Sequence, residues 1–402
     1  MADYDVITVG GGLAGSSLAL ALARGGVRVL VLERETRFRD RVRGEVILPW
    51  GVNEARDFGI YDILTGSCAR VINFWTSHTF ARLPRDLSKT TPRGAGCLNF
   101  YHPDMQETMI NAAEDAGATV WRGARVRDIE PGSQPRVIID RDRSRETLIC
   151  RLLAGCDGRE SMVRKRAGFA VHQDPERMMV SGILLDGIGA PDDSNHVFHL
   201  PGEGEGALLF PQGDDRARIY FLYRKRAEKR PLSGTQNVPY FIDCCRGVGI
   251  PDEWLEKAHA VGPLTQFSTA DYYVTKPYQP GIALVGDAAS ANDASWGNGL
   301  SLTIKDARTL SENLLASDDW DTAGAAYGRA HKEYFGVINR VTRWLSDILF
   351  EIGPEADARR DHIFSLMKSD KKSRNPDYIA LGPDSPADEA ARRRMFGEDG
   401  VG

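Results

Sequence analysis

The sequence predicts an α/β fold in which a parallel-sheet domain is interrupted by an antiparallel β-sheet domain and followed by a helical C-terminal region. Three observations carry that prediction. The chain opens with a strand, a glycine-rich turn, a helix and a second strand; between 178 and 258 it runs through short alternating strands; and from 319 onward its apolar spacing is helical.

The opening unit is the most informative. Tyr4 to Val9 is β-prone and feeds into Gly10-Gly11-Gly12-Leu13-Ala14-Gly15, which sets a G-x-G-x-x-G pattern at Gly10, Gly12 and Gly15. In that pattern the first glycine allows a tight turn, the second lets a pyrophosphate approach the backbone, and the third lets the helix sit close to the strand. Leu13 and Ala14 begin a helix whose free N–H groups and positive dipole end suit phosphates. Residues 16–24 favour helix, Gly25-Gly26 ends it, and 27–32 form a buried parallel strand. Glu33 follows about twenty residues past the glycines, where a carboxylate can accept hydrogen bonds from a ribose diol. These parts in register predict dinucleotide binding by a Rossmann-like domain.

Further along, Arg34 enters a basic loop ending at Arg43, in which Arg41 and Arg43 either meet phosphate or ribose oxygens or stay solvated. Pro49 opens a helix of about three turns. A strand is expected over 71–75, a helix from His102 to about Ala116, and strands over 119–121, 124–126, 137–139, 148–150 and 152–156. The last runs into Asp157-Gly158. Strands over 180–185, 197–200, 207–210 and 218–223 form the inserted sheet. Their faces carry His196, His199, Phe210, Tyr220, Phe221 and Tyr223, either a wall for an aromatic ligand or ordinary packing. A buried strand over 281–285 delivers Gly286-Asp287-Ala288-Ala289, and a glycine-rich loop with Trp296, Gly297, Asn298 and Gly299 leads into a helix from Leu300. An α/β sheet places its ligand at such a junction. Residues 319–350 form one long helix or two, and the tail after Gly353 reads as solvated surface. The expected division is therefore 1–75, 101–177 and 263–318 for the nucleotide domain, 76–100 and 178–262 for the inserted domain, and 319–402 for the helical region.

Composition excludes several classes. The 402 residues include 51 basic and 56 acidic side chains, a formal charge of −5 without a long block of either sign. Nucleic acid is not an expected partner, since such sites show a basic stripe. The six cysteines have no C-x-x-C spacing, so no metal site or redox motif is expected. No apolar run reaches the length of a membrane span and no leader precedes the first strand, so a cytoplasmic protein is expected.

Three separated segments together resemble the group A flavoprotein monooxygenases of the 4-hydroxybenzoate hydroxylase type. They are the glycine turn with Glu33; Asp157-Gly158 with Ser161 and Arg164, similar to D-G-x-x-S-x-x-R; and Gly286-Asp287-Ala288-Ala289 with Gly297 and Gly299, similar to G-D-A-A-H-x-x-P-P-x-x-G-x-G. The resemblance implies an FAD-binding fold, and FAD as cofactor. It implies cofactor contacts at Gly10, Gly12, Leu13, Ala14, Gly15, Glu33, Arg34, Arg41, Arg43, Gln106, Val126, Asp157, Gly158, Gly286, Asp287, Ala288, Gly297, Asn298, Gly299 and Leu300, with Asp287 on the ribitol. In that family NADH or NADPH reduces FAD, O2 adds at carbon 4a, and the hydroperoxide oxygenates an electron-rich ring. The implied activity is hydroxylation of an aromatic or heteroaromatic small molecule. Phe210 and Trp296 are expected at the substrate; Tyr220, Tyr223, His199 and His196 are candidates for catalysis, with no base assigned. Ser290 and Asp293-Ala294 depart from the pattern's His and Pro-Pro. The rivals are an FAD-dependent halogenase, whose W-x-W-x-I-P is missing from the sequence, an FAD-dependent reductase or dehydrogenase of isoprenoid or carotenoid type, and a flavoprotein that only binds a ligand.

Overall fold

A computed structural model describes residues 2–79, 81–141, 144–225, 231–370 and 374–399. Along the chain come β1 (Tyr4–Val9), α1 (Leu13–Arg24) and β2 (Val29–Glu33), then α2 (His102–Asp115), β3 (Thr119–Arg122) and the long β4 (Ser144–Gly155). The strands β5 (Met178–Asp186), β6 (Ser194–Leu200), β7 (Glu205–Gly213) and β8 (Arg216–Arg224) follow. After them, β9 (Ile282–Leu284), α3 (Gly299–Leu315) and α4 (Trp320–Leu349) complete the framework.

The first sheet has the order Tyr278–Gln279, β9, β4, β1, β2, β3, parallel throughout except at the edge, where Tyr278–Gln279 pairs antiparallel with β9. Its inner strands are buried on both faces, which is why they read as unbroken apolar runs. On one face, Leu18 and Leu22 of α1 share a core with Ile304, Leu310 and Leu314 of α3. The strands expected over 148–150 and 152–156 are one element, β4. Its first half pairs antiparallel with Arg136–Arg141 and its second half parallel with β1. The exposed Arg151 sits at the changeover and gives the appearance of a break.

The second sheet runs His259–Ala260, β5, β8, β7, β6, Phe74–Ser77, Ala81–Asp86. It is antiparallel except where β6 meets Phe74–Ser77 in parallel. Alternation along the strands divides it into two faces. Val197, Leu208, Phe210, Tyr220 and Leu222 join a cluster with Trp296 and the end of α4, whereas Phe198, Leu209, Ile219, Phe221 and Tyr223 pack with Phe241 and Cys245 of the helix Val238–Gly247. Phe74–Ser77 crosses the boundary read at 75, and Cys97–Phe100 pairs with Val46–Ile47 and Ala69–Ile72 in a small separate sheet.

Residues 320–349 form one helix. The tail is more than solvated surface, because Ile363, Ile379 and Met395 are buried in the cluster that holds Trp296 and Phe210. Among the described residues no helix is long and apolar enough to cross a membrane.

Candidate active site

Three segments distant in sequence meet at the carboxyl ends of β1, β4 and β9. Gly10 has φ 102°, which suits glycine, and a Cβ there would lie 3.1 Å from Asp157 Cα. Gly15 abuts the Gly10 carbonyl, leaving no room for a side chain. Gly12 is open by comparison, since a Cβ would meet only the Gln106 amide, at 3.4 Å. A Cβ on Gly286 would stand 3.4 Å from that of Ala14, so the first and third segments touch. Leu13, Ala14 and Gly15 form the first turn of α1, and Gly299 and Leu300 begin α3 with no side-chain cap; both helix ends present unpaired N–H groups here.

Arg164 joins the second segment to the third. It is fully buried, donates from Nη1 to the carbonyls of Ala288 (2.8 Å) and Asp287 (3.4 Å) and from Nη2 to that of Arg159, and lies 4.3 Å over the Tyr272 ring. Asp157 caps the intervening turn, accepting from Ser161 Oγ and from the N–H groups of Met162 (2.6 Å) and Val163 (3.2 Å). Gly286, at φ 65°, donates its N–H to Asp306 Oδ2 at 2.8 Å, and Asp306 accepts in turn from Tyr334 and lies 2.9 Å from His331 Nδ1, both on α4. Burial pushes the Asp287 carboxyl above its ordinary value, against the opposing pull of Arg43, Arg159 and Arg164.

The other expected cofactor residues surround this junction. Glu33 is buried, and its two oxygens accept the N–H groups of Gly11 (2.7 Å) and Glu35 (2.8 Å). Ala124 N–H donates to the Glu33 carbonyl at 3.0 Å, which brings Val126 near. Arg34 and Arg41 point to Glu35 instead, the first at 3.4 Å, and both are exposed. Arg43 lies 5.9 Å over Phe267. Between the two arginines Val42 holds φ 52°, a strained angle for a β-branched residue, with its side chain buried. Gly44 lies beside Leu300, 3.5 Å from where its Cβ would be, and Gly299 comes within 3.8 Å of Asp287 Oδ1 by the same measure. Asn298 Oδ1 accepts from Trp50 Nε1 at 3.1 Å, while Gly297 turns at φ 67°. His102, at the start of α2, has Nδ1 2.7 Å from the Gly44 carbonyl, and burial lowers its pKa to about 4.

The antiparallel sheet presents only some of the expected aromatic residues to this junction. Phe210 lies 6.1 Å from Tyr220, the Tyr220 hydroxyl donates to the Arg43 carbonyl, and His199 stacks 6.3 Å from Trp296. Burial pushes the Tyr220 phenol up and the His199 imidazole down to about 4. Tyr223 and Phe221 are on the opposite face, and so is His196, packed at 4.8 Å against Trp254 and 3.3 Å from His78. Alternation along β6 and β8 separates these residues in the sequence, but nothing local says which face meets the nucleotide domain. Arg218 of β8 binds the loop to the sheet, donating to Glu45 at 2.8 and 2.7 Å and to Asp40 at 2.8 Å. Sequence reasoning gave no role to Arg218, Asp306 or Asp271; their partners lie 20 or more residues away, so no local pattern marks them.

These residues fit FAD. Two helix N-termini open at this junction, and among the described residues Ser290 Oγ and Asn292 Oδ1 are buried beside it without a partner. The fold and site define a flavoprotein. Residues 3–326 match the FAD binding domain family, and the chain belongs to it. It is 26% identical over 370 residues to rifampicin monooxygenase of Streptomyces venezuelae, covering 89% of this chain and 74% of that protein. It is also 21% identical to the 1H-pyrrole-2-carbonyl-[peptidyl-carrier protein] chlorinase of Pseudomonas fluorescens, covering 92% of this chain and 89% of that one. Among solved structures, p-nitrophenol 4-monooxygenase PnpA of Pseudomonas putida superposes with a TM-score of 0.75 at 19% identity, covering 92% and 95% of the two chains. The protein is an FAD-dependent monooxygenase of the group A flavoprotein class.

Proposed function

We propose that this monooxygenase uses NADPH or NADH and O2 to hydroxylate an aromatic or heteroaromatic small molecule held between loop 292–299 and the face of the sheet bearing Phe210. The observation that carries the reading is the shared buried cluster of Phe210, Tyr220 and Trp296, tied to the basic loop through the Tyr220 hydroxyl. FAD, when bound, supplies the redox and oxygen-activating chemistry. The chain would supply position and dryness: the first turns of α1 and α3 would offer N–H groups to the cofactor, Glu33 would take a ribose and Asp287 the ribitol, and the aromatic cluster would exclude water.

A phenol or ring nitrogen is activated by an acceptor within hydrogen-bond reach. His199 is the candidate on this face, because burial keeps its imidazole neutral above a pH of about 4. Tyr220 is no base: burial keeps its phenol protonated and the proton is directed at Arg43. A halogenase is the second reading, supported by the chlorinase that matches nearly end to end. The test is anaerobic addition of NADPH or NADH to the FAD-loaded protein with phenols, indoles and pyridines. Flavin bands that bleach much faster with one ring class are expected. A flavin that neither nicotinamide reduces with any ligand contradicts the reading, and a brominated product formed once O2 is admitted to the reduced protein in bromide supports the halogenase.

A further inference from the structure

A buried polar node pins loop 292–299 from outside the three motifs, and its centre is Asp271. This residue immediately precedes the strand Tyr272–Val274 and is 5% exposed. Its Oδ1 accepts the Asp293 N–H at 2.6 Å and Asn292 Nδ2 at 3.3 Å; its Oδ2 accepts Asn339 Nδ2 of α4 at 2.5 Å, with Arg343 Nε at 3.9 Å. Asp293 extends the node. Its Oδ1 accepts the Ser295 N–H at 2.9 Å and its Oδ2 lies 3.5 Å from Ser346 Oγ, which accepts Trp296 Nε1–H at 2.9 Å. One carboxylate therefore ties a strand, a long helix and the loop together.

The backbone at 293 explains why such a node is needed. Asp293 has φ −51° and ψ 113°, angles that a proline ring would also accept. A proline there would lock φ but bring no N–H, so the bond to Asp271 depends on residue 293 not being proline. Stiffness that a ring could give is supplied by hydrogen bonds, and a buried carboxylate strongly favours having its donors in place.

We propose that Asp271 is a positioning residue that holds loop 292–299, and Trp296 with it, in place beside the flavin; the flavin's presence there rests on the function proposed above. Its surroundings agree. Burial and the nearby Asp293 push the Asp271 carboxyl up to about 7, Asp174 adds to this, and Arg343 opposes it.

The test is amide hydrogen exchange of the full chain without FAD, in wild type, D271A, D293P and the double variant. D271A should speed exchange of segment 292–299 about tenfold while β1 keeps its protection. In the D293P background D271A should add much less, because the N–H it answers is gone. Unchanged exchange in the loop, an equal rise in β1, or equal effects of D271A in both backgrounds overturns the proposal. D271N keeps the shape and carries the test if D271A does not fold: its single amide oxygen cannot accept both the Asp293 N–H and the Asn339 amide, so it too should speed exchange of segment 292–299 with β1 unchanged, and unchanged loop exchange overturns the proposal. An FAD titration of the same samples keeps the two readings apart, since wild type that binds no FAD removes the flavin site and leaves the exchange result to decide the node.

Discussion

Arg164 is buried, and its Nη1 and Nη2 donate to main-chain carbonyls of the second and third segments. R164A leaves those carbonyls without donors in a dry setting. We expect it to lower stability by about 2–4 kcal/mol in urea unfolding and to weaken FAD binding at least tenfold. Asp271 makes a prediction with a definite sign. Its folded value, about 7, lies above the ordinary 3.8, so between those values the folded chain holds the extra proton. The stabilisation is full below 3.8 and is lost as pH rises to about 7. Urea midpoints across that range should fall in wild type by an increment that D271N lacks. Legibility was uneven at this scale. Glycines 10, 12 and 15 announce themselves because their demand is local, whereas Asp271 and Asp306 matter through partners that only the folded chain brings near.

At the scale of elements, α4 connects most of the site. Tyr327 donates to the Leu284 carbonyl, His331 and Tyr334 meet Asp306, Asn339 reaches Asp271, and Ser346 receives Trp296. Tyr327, His331 and Tyr334 recur at i, i+4 and i+7 along one side, and Asn339 and Ser346, seven apart, follow a neighbouring line. Glu333 lies on the exposed side of the same helix. E333P should break the ladder there, costing roughly 3 kcal/mol or more, and should impair FAD binding although it touches no motif; E333A should do neither. The titration of FAD fluorescence against both variants checks this. The helical character of this stretch was legible, though not that it is one helix rather than two, and so was the strand–turn–helix of the first 33 residues. The continuity of β4 was not, because the exposed Arg151 interrupts its apolar run at the point where its pairing partner changes.

Across the whole molecule, two sheets meet at the glycine-rich loops, and charge and apolar surface both hold them. Arg218 fastens β8 to Glu45 and Asp40, and the tail seals the cluster around Trp296 with Ile363, Ile379 and Met395. The division into a parallel and an antiparallel unit could be read from strand spacing and from the glycine motifs. The burial of the tail could not, since its few apolar residues are scattered among charges and gain meaning only from the surface they cover. The division of the antiparallel sheet into two faces follows the same logic: period-two alternation groups Phe210 with neighbours of its own face, and tertiary packing alone turns that face toward loop 292–299.

The most direct measurement is turnover of the FAD-loaded protein under 18O2, with NADPH or NADH and the ring class that best accelerates flavin reduction. The account predicts a hydroxylated product carrying one 18O atom derived from O2. A product formed without the label, or label released only as hydrogen peroxide, would contradict it.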